Sequence, residues 1–388
     1  MAPAAVEHPC VGRARRVLDG PLVGVYPFPP GEDAATWRQR CAEALHTIGE
    51  RELWVRADRR GDTLAQSVDR LLIGGVASSL ALEPGAVRLL GELLRNLAEP
   101  GRINQGHKGT CAVTCVEVHL ALRHPAEYAR LVVGLAGPTG SVELSPGVEL
   151  LRDEEALRWT VAEARRSPVS RLLQVALMEL AYPNLDYRNL DDGHFEPASA
   201  SPGAPTDLGP AGAAGGDRNT GSGVGLGAFD RLLEAVTGET WETLSVEQSR
   251  VADRLAALGL DTSSLPDIFR DGLSIVERSA RAGESVFVTL ETETSRDRTV
   301  RRVGEDPLRT LPHKVRVYDL RAGRVYFEDP LDPVSPWMEG AETEVIDAHG
   351  RSSMPLEVFR RLMVELSYRP RFARVNAAAG DASAQEPG

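Results

Sequence analysis

The chain has little of what would place it in several functional classes. Its four cysteines, Cys10, Cys41, Cys111 and Cys115, are spread over 388 residues, too few and too scattered for a disulfide framework. Basic charge is short: 44 Lys and Arg against 56 Asp and Glu leave a formal net charge of −12. That balance argues against nucleic acid as a main partner, because phosphate binding wants a basic surface. No apolar run approaches the length of a membrane span, and "MAPAAVEHPCVGRARRVLDG" lacks the apolar core of a secretory signal. The expected compartment is the cytoplasm, with signal-independent export left open. Cys111 and Cys115 have no second Cys/His pair at ligand spacing, so no metal or cofactor is expected. There is no internal repeat.

What is present is 42% apolar residues, enough for a sizeable core. The first stretch, 1–95, reads as mainly helical: "DAATWRQRCAEALHTIGER" and "EPGAVRLLGELLRNLAEPG" carry apolar residues at three-and-four spacing. "LWVRAD" between them reads as a short strand. Residues 96–196 continue with helices: one from Cys111, one at "HPAEYARLVVGLAG", and a capped one at "SPVSRLLQVALMELAY", with a hairpin at "GSVELSPGVELL". Residues 197–227 are rich in Pro, Gly, Ala and Ser and offer nothing to bury, which predicts a flexible surface insertion. A phosphate-binding loop there is excluded, because no strand precedes the glycines and no Gly-Lys-Ser/Thr follows. From 228 to 375, helical patterns at "AFDRLLEAVTG" and "VEQSRVADRLAALG" give way to the alternating "ESVFVTLETE", "HKVRVYDL" and "RVYFEDP". A closing helix "MPLEVFRRLM", a last strand "ELSYRP" and a disordered tail at 376–388 follow. Helices first and a sheet last predict an α+β fold.

The stretch "NQGHKGTC", ahead of the apolar helix "AVTCVEVHLALR", sets Cys111 where a loop becomes a helix. A nucleophilic cysteine needs a favoured thiolate, a base and donors for the developing oxyanion. The positive end of a helix dipole supplies the first. Gln105, six residues upstream, can fold its amide back as a donor, with Gly106 and Gly109 letting the loop turn tightly. Of eight histidines, His313 stands out: it opens a strand whose hairpin partner ends at Asp329. An antiparallel hairpin brings that carboxylate beside the imidazole, which orients a base. Cys115, one turn further in, reads as core.

These residues resemble a known family. Gln105-Gly106 and then Gly109-Thr110-Cys111 look like the Gln-Gly-x-x-Gly-Ser-Cys signature of papain-like cysteine peptidases, with the same gap from glutamine to nucleophile. The spacing from His313 to Asp329 resembles the family's His-to-Asn spacing, and the ending is similar to the bacterial leader-peptidase-like branch. The resemblance implies a helical half carrying the nucleophile helix, packed on an antiparallel sheet half. It implies Cys111 as nucleophile, His313 as base, Asp329 as orienter and Gln105 as oxyanion donor. It covers roughly 95–375. Departures are Pro312 where a glycine often precedes the histidine, a longer Cys-to-His separation, and no tryptophan directly after Asp329, where Trp337 is the nearest indole. Residues 1–95 have no counterpart.

Three functions compete on these residues. The first is a thiol hydrolase, a peptidase acting on protein or peptide substrates through an acyl-enzyme on Cys111. The second is transglutaminase- or deamidase-type acyl transfer at the same site. The third is a catalytically inactive papain-like interaction protein. The sequence leaves oligomeric state undetermined.

Overall fold

The computed structural model describes residues 8–22, 28, 31–82, 85–106, 108–157, 166–183, 187, 224, 226–245, 272–290, 312–331, 343–347 and 350–370. The chain forms two compact units. One is Met1–Val224 with Ala235–Thr237 and Pro330–Asp332; the other takes Gly225–Glu234, Gly238–Asp329 and Pro333–Gly388. The first unit takes in both 1–95 and 96–196. Val224 is buried, and the helix read at 228 already begins at Leu226, so the end of the 197–227 segment is structured. The rest of that segment, "VEQSRVADRLAALG", Trp337 and 376–388 lie outside the described residues.

The first unit is helical: α1 (Pro9–Leu18), α2 (Ala34–Glu50), α3 (Leu64–Gly74), α4 (Ser78–Leu82), α5 (Ala86–Ala98), α6 (Cys111–Arg123), α7 (Pro125–Ala136) and α8 (Pro168–Ala181). Its one described sheet is the antiparallel hairpin β1 (Ser141–Ser145) and β2 (Val148–Leu151). Local signals set the helix starts. Asp33 accepts from the Thr36 N–H ahead of α2, Thr63 and Gln66 form a reciprocal capping box at α3, and Ser167 caps α8 before Pro168. The strand expected at "LWVRAD" is instead a 3₁₀ turn, Leu53–Val55, followed by a single bridge from Ala57 to Thr63. Leu53 and Trp54 are both buried. Neighbours in a strand point to opposite faces and are both buried only where both faces are covered, whereas this turn buries the two together.

Helix α5 departs most from its sequence pattern. Leu89, Leu90, Leu93, Leu94 and Leu97 are fully buried, each contributing about 2 kcal/mol relative to exposure. Arg88, Glu92, Arg95 and Asn96 on the polar face are buried as well. Their partners come from several elements: Glu92 pairs with Arg102 at 2.8 Å and accepts from Trp37 Nε1 at 2.7 Å, Arg95 pairs with Glu32 at 2.7 Å and Glu92 at 3.4 Å, and Asn96 Nδ2 donates to Tyr128 Oη at 2.9 Å. Arg88 stacks over the Phe28 and Trp37 rings at 4.6 and 4.7 Å.

Helices α2 and α5 meet through Gly91. A Cβ there would lie 2.2 Å from Trp37 Cζ2 and 2.9 Å from Cys41 Sγ. Neither neighbour is a loose side-chain end, since Trp37 and Cys41 are wholly buried. Gly91→Ala is therefore expected to destabilise by about 3 kcal/mol, read as a lowered urea midpoint with an unchanged m-value; a loss under about 0.5 kcal/mol would show that the helices separate easily.

The second unit is a sheet with helices. After α9 (Leu226–Thr237) come β3 (Glu242–Ser245), α10 (Gly272–Arg281), β4 (Val286–Leu290), β5 (His313–Arg321), β6 (Arg324–Glu328), β7 (Glu344–Val345), β8 (Arg351–Pro355), α11 (Leu356–Leu362) and β9 (Met363–Tyr368). The strands form one antiparallel sheet in the order β3-β9-β4-β5-β6-β8-β7. Phe229, Trp241 and Phe287 cluster on one face, with ring centroids 5.3 Å apart in both pairs. Strand β5 is buried on both faces from His313 to Val317. Its cations are neutralised within the sheet: Lys314 pairs with Glu365 at 2.6 Å, and Arg316 with Glu328. Chain composition and element order together make this an α+β protein.

Candidate active site

The nucleophile candidate and the base candidate belong to different units. In the first unit Cys111 is the first residue of α6, as the loop-to-helix reading required. It is half-buried, whereas Cys10, Cys41 and Cys115 are buried. Burial, reinforced by Asp69, pushes the Cys10 thiol up to about 12. Burial with Glu92 nearby does the same to Cys41, also to about 12. Both stay protonated and unreactive near neutral pH.

The loop ahead of Cys111 is tightly organised. Asn104 Oδ1 accepts from the Gly106 N–H at 2.8 Å, and Gly106 sits at φ +63°. A Cβ at Gly106 would meet Arg166 only at an ordinary 3.5 Å, so the need for glycine here is conformational, not steric. Gln105 is wholly buried. Its Nε2 donates to the Lys108 carbonyl at 2.6 Å, and its backbone N–H donates to Pro330, the residue after Asp329, at 2.9 Å. Thr110 is the N-cap of α6 yet makes no capping bond; its hydroxyl donates instead to Gln174 Oε1 at 3.1 Å.

Beneath this loop lies a buried polar network that the sequence reading missed. Glu117 accepts from Tyr128 Oη and Ser170 Oγ at 2.9 Å each, and from Gln174 Nε2 at 2.7 Å. Asn96 Nδ2 donates to Tyr128 Oη at 2.9 Å. Burial pushes the Glu117 carboxyl up from its usual range, against the pull of those three donors and of Arg166. A signal existed: Glu117 and Gln174 are isolated polar residues inside the apolar runs "CAVTCVEVHLALR" and "SRLLQVALMEL". Such residues point outward on a surface helix but need partners in a buried one.

In the second unit, His313 Nε2 and Asp329 Oδ1 lie 2.7 Å apart. His313 is 4% exposed. The hairpin places them as its topology required: β5 pairs with β6 from Arg316–Glu328 to Arg321–Arg324, with a bulge between Val317 and Asp319, and Asp329 follows the last paired residue of β6. The Asp329 N–H donates to the Gly350 carbonyl at 2.8 Å, which ties the carboxylate-bearing residue to the segment before β8. A carboxylate only accepts, so the Nε2–H donates and the neutral ring is basic at Nδ1.

His8 accepts from the Cys10 N–H and stacks on Trp54, His46 faces Glu50 at 3.1 Å, and the His119 and His124 rings lie 5.4 Å apart. His107, His194 and His349 lie outside the described residues. Among the described residues no helix is long and apolar enough to cross a membrane.

No family model, curated protein or solved structure matches the chain.

Proposed function

We propose that the protein is a papain-like thiol hydrolase, a cysteine peptidase that forms an acyl-enzyme on Cys111. The observation that carries the reading is the part-buried His313–Asp329 hydrogen bond of 2.7 Å. It directs the basic atom of the ring to Nδ1, which takes the Cys111 proton as the sulfur attacks a scissile carbonyl. The amine leaves with that proton, and water then releases the acyl group by the same path. Three facts about Cys111 support its part. It heads a helix whose dipole favours a thiolate, it is half-buried and so reachable, and the hydroxyl of its N-cap residue is turned away from the helix amides. Those amides suit a developing oxyanion. Asp329 holds the imidazole in one tautomer, and Gln105 adds its amide as a second oxyanion donor.

One observation favours the non-catalytic reading. Gln105 is buried and its amide nitrogen is engaged by the Lys108 carbonyl, so its help in the transition state depends on its second N–H. Acyl transfer to an amine, or deamidation of glutamine, uses the same residues and differs only in the acceptor or the acyl donor. A peptide-library digest with wild type and Cys111→Ala, read by mass spectrometry with an added primary amine, separates the three. Cleaved peptides expected with wild type alone mark a peptidase, and amine adducts a transferase. No product from either protein would end the catalytic reading.

A further inference from the structure

We infer that Gln174 is a positioning residue for the Cys111 loop, gripping both ends of residues 104–110 through one buried amide. The inference rests on the reading of Cys111 as nucleophile. Its own basis is geometric. Gln174 Oε1 accepts from the Thr110 hydroxyl at 3.1 Å, and Nε2 donates to the Asn104 carbonyl at 3.2 Å. Asn104 directly precedes Gln105, and Thr110 directly precedes Cys111. One side chain from α8 thus holds the loop immediately before Gln105 and immediately before Cys111, the two of the four assigned residues that lie on it.

The orientation of that amide is itself determined. Turning it over would set oxygen against the Asn104 carbonyl, which only accepts, whereas the Thr110 hydroxyl serves either partner. Glu117 prevents this by accepting from Nε2 at 2.7 Å, and Glu117 is held in turn by Tyr128 and Ser170. Thr110, Thr114, Glu117, Tyr128 and Gln174 are wholly buried, while the bond to Asn104 is part-buried, so a partner lost at the Thr110 end leaves a buried polar atom unsatisfied. The Thr110 hydroxyl is the second sign. At an N-cap such a hydroxyl ordinarily caps the helix, but here it serves Gln174, while the Thr110 carbonyl accepts from the Thr114 hydroxyl at 2.9 Å. The arrangement gives up a cap in order to define where the helix and its cysteine begin.

The test uses the full chain with Gln174→Met, Thr110→Val and Thr110→Ser. The first removes donor and acceptor at similar length, the second removes only the hydroxyl, and the third keeps it. Amide hydrogen exchange at 105–111 is expected to accelerate at least about tenfold in Gln174→Met and Thr110→Val, with α7 unchanged. On a cleaved peptide, kcat is expected to fall about 30-fold with KM held within twofold, and Thr110→Ser should restore most of it. Wild-type exchange at 105–111 in both damaging variants would overturn the inference. So would equal acceleration in α7, which marks a residue that merely supports the unit. If the wild type cleaves nothing, the peptidase reading fails on its own. The exchange pattern, with the rate of Cys111 alkylation by iodoacetamide, still decides whether Gln174 holds the loop.

Discussion

Cys111→Ala and His313→Ala should each reduce peptide turnover by on the order of 10⁴-fold or more, since one removes the bond-forming atom and the other the proton acceptor. The Asp329 variants are graded between these and wild type. Asp329→Asn keeps an oxygen that accepts from His313 Nε2–H and should retain much of the activity. Asp329→Ala leaves the ring able to rotate and should lose about 100-fold. The competing view treats the 2.7 Å bond as a cross-strand polar pair that only stabilises the hairpin. On that view Asp329 variants lose midpoint and activity together, and His313→Ala tracks them. Turnover and thermal midpoint measured on the same four variants separate the two. A chemical check is available in 1,3-dibromoacetone, which alkylates a thiol and then a neighbouring imidazole. It is expected to bridge Cys111 to His313 and to spare Cys10 and Cys41, whose thiols burial holds protonated up to about 12. Recovery of Cys111 as a singly attached adduct would sink the shared-site assignment.

Glu92→Gln should be the most damaging single charge change in the helical unit. Glu92 is 1% exposed and faces Arg88, Arg95 and Arg102. Burial opposes its charge, but the three arginines outweigh burial and hold the carboxyl at about 2, against an ordinary 4.5. Removing the anion takes a buried countercharge from three guanidinium groups, of which Arg95 also pairs with Glu32 at 2.7 Å, a loss of about 3–5 kcal/mol. The pH dependence follows from the sign of the shift. A depressed carboxyl contributes stability that is fully present above pH 4.5 and is lost as pH falls toward 2. The contribution amounts to about 3 kcal/mol. Glu127, held low by Arg130 and Arg59 against its own burial, adds in the same direction. Glu117 works oppositely: its raised carboxyl favours the protonated form, a contribution present below pH 4.5 and lost as pH rises through its folded value. Urea titrations followed by tryptophan fluorescence suit the measurement, because Trp37 donates to Glu92 directly. Wild type should lose stability steeply between pH 4.5 and 2, and Glu92→Gln should show a shallower acid limb. Parallel limbs would mean that Glu92 carries no such linkage.

Several features were legible because they depend on near neighbours in the chain. Pro125 and Pro168 at helix starts, Ser167 as a cap, the Pro146-Gly147 turn between β1 and β2, and the two-residue loop joining β5 to β6 all rest on local backbone chemistry. The His313–Asp329 pair was legible for the same reason, since a hairpin converts a separation along the chain into a distance across it. "LWVRAD" misled because periodicity in so short a run cannot distinguish a strand from a turn that buries two neighbours.

The sequence by itself determined the α+β order, the start of α6 at Cys111 and the hairpin that pairs His313 with Asp329. Tertiary structure alone decided which polar residues are interior. Glu92 reads as the solvent face of an amphipathic helix, and Lys314 and Arg316 read as the outer face of a strand, yet all three are buried against partners distant in the chain. Gln174 reads as one polar residue in an apolar helix, and only the fold brings Asn104, Thr110 and Glu117 to it. Hydrophobic periodicity reports how a segment divides water from core. It carries no information about a charge or an amide whose burial is made favourable by a group from another element.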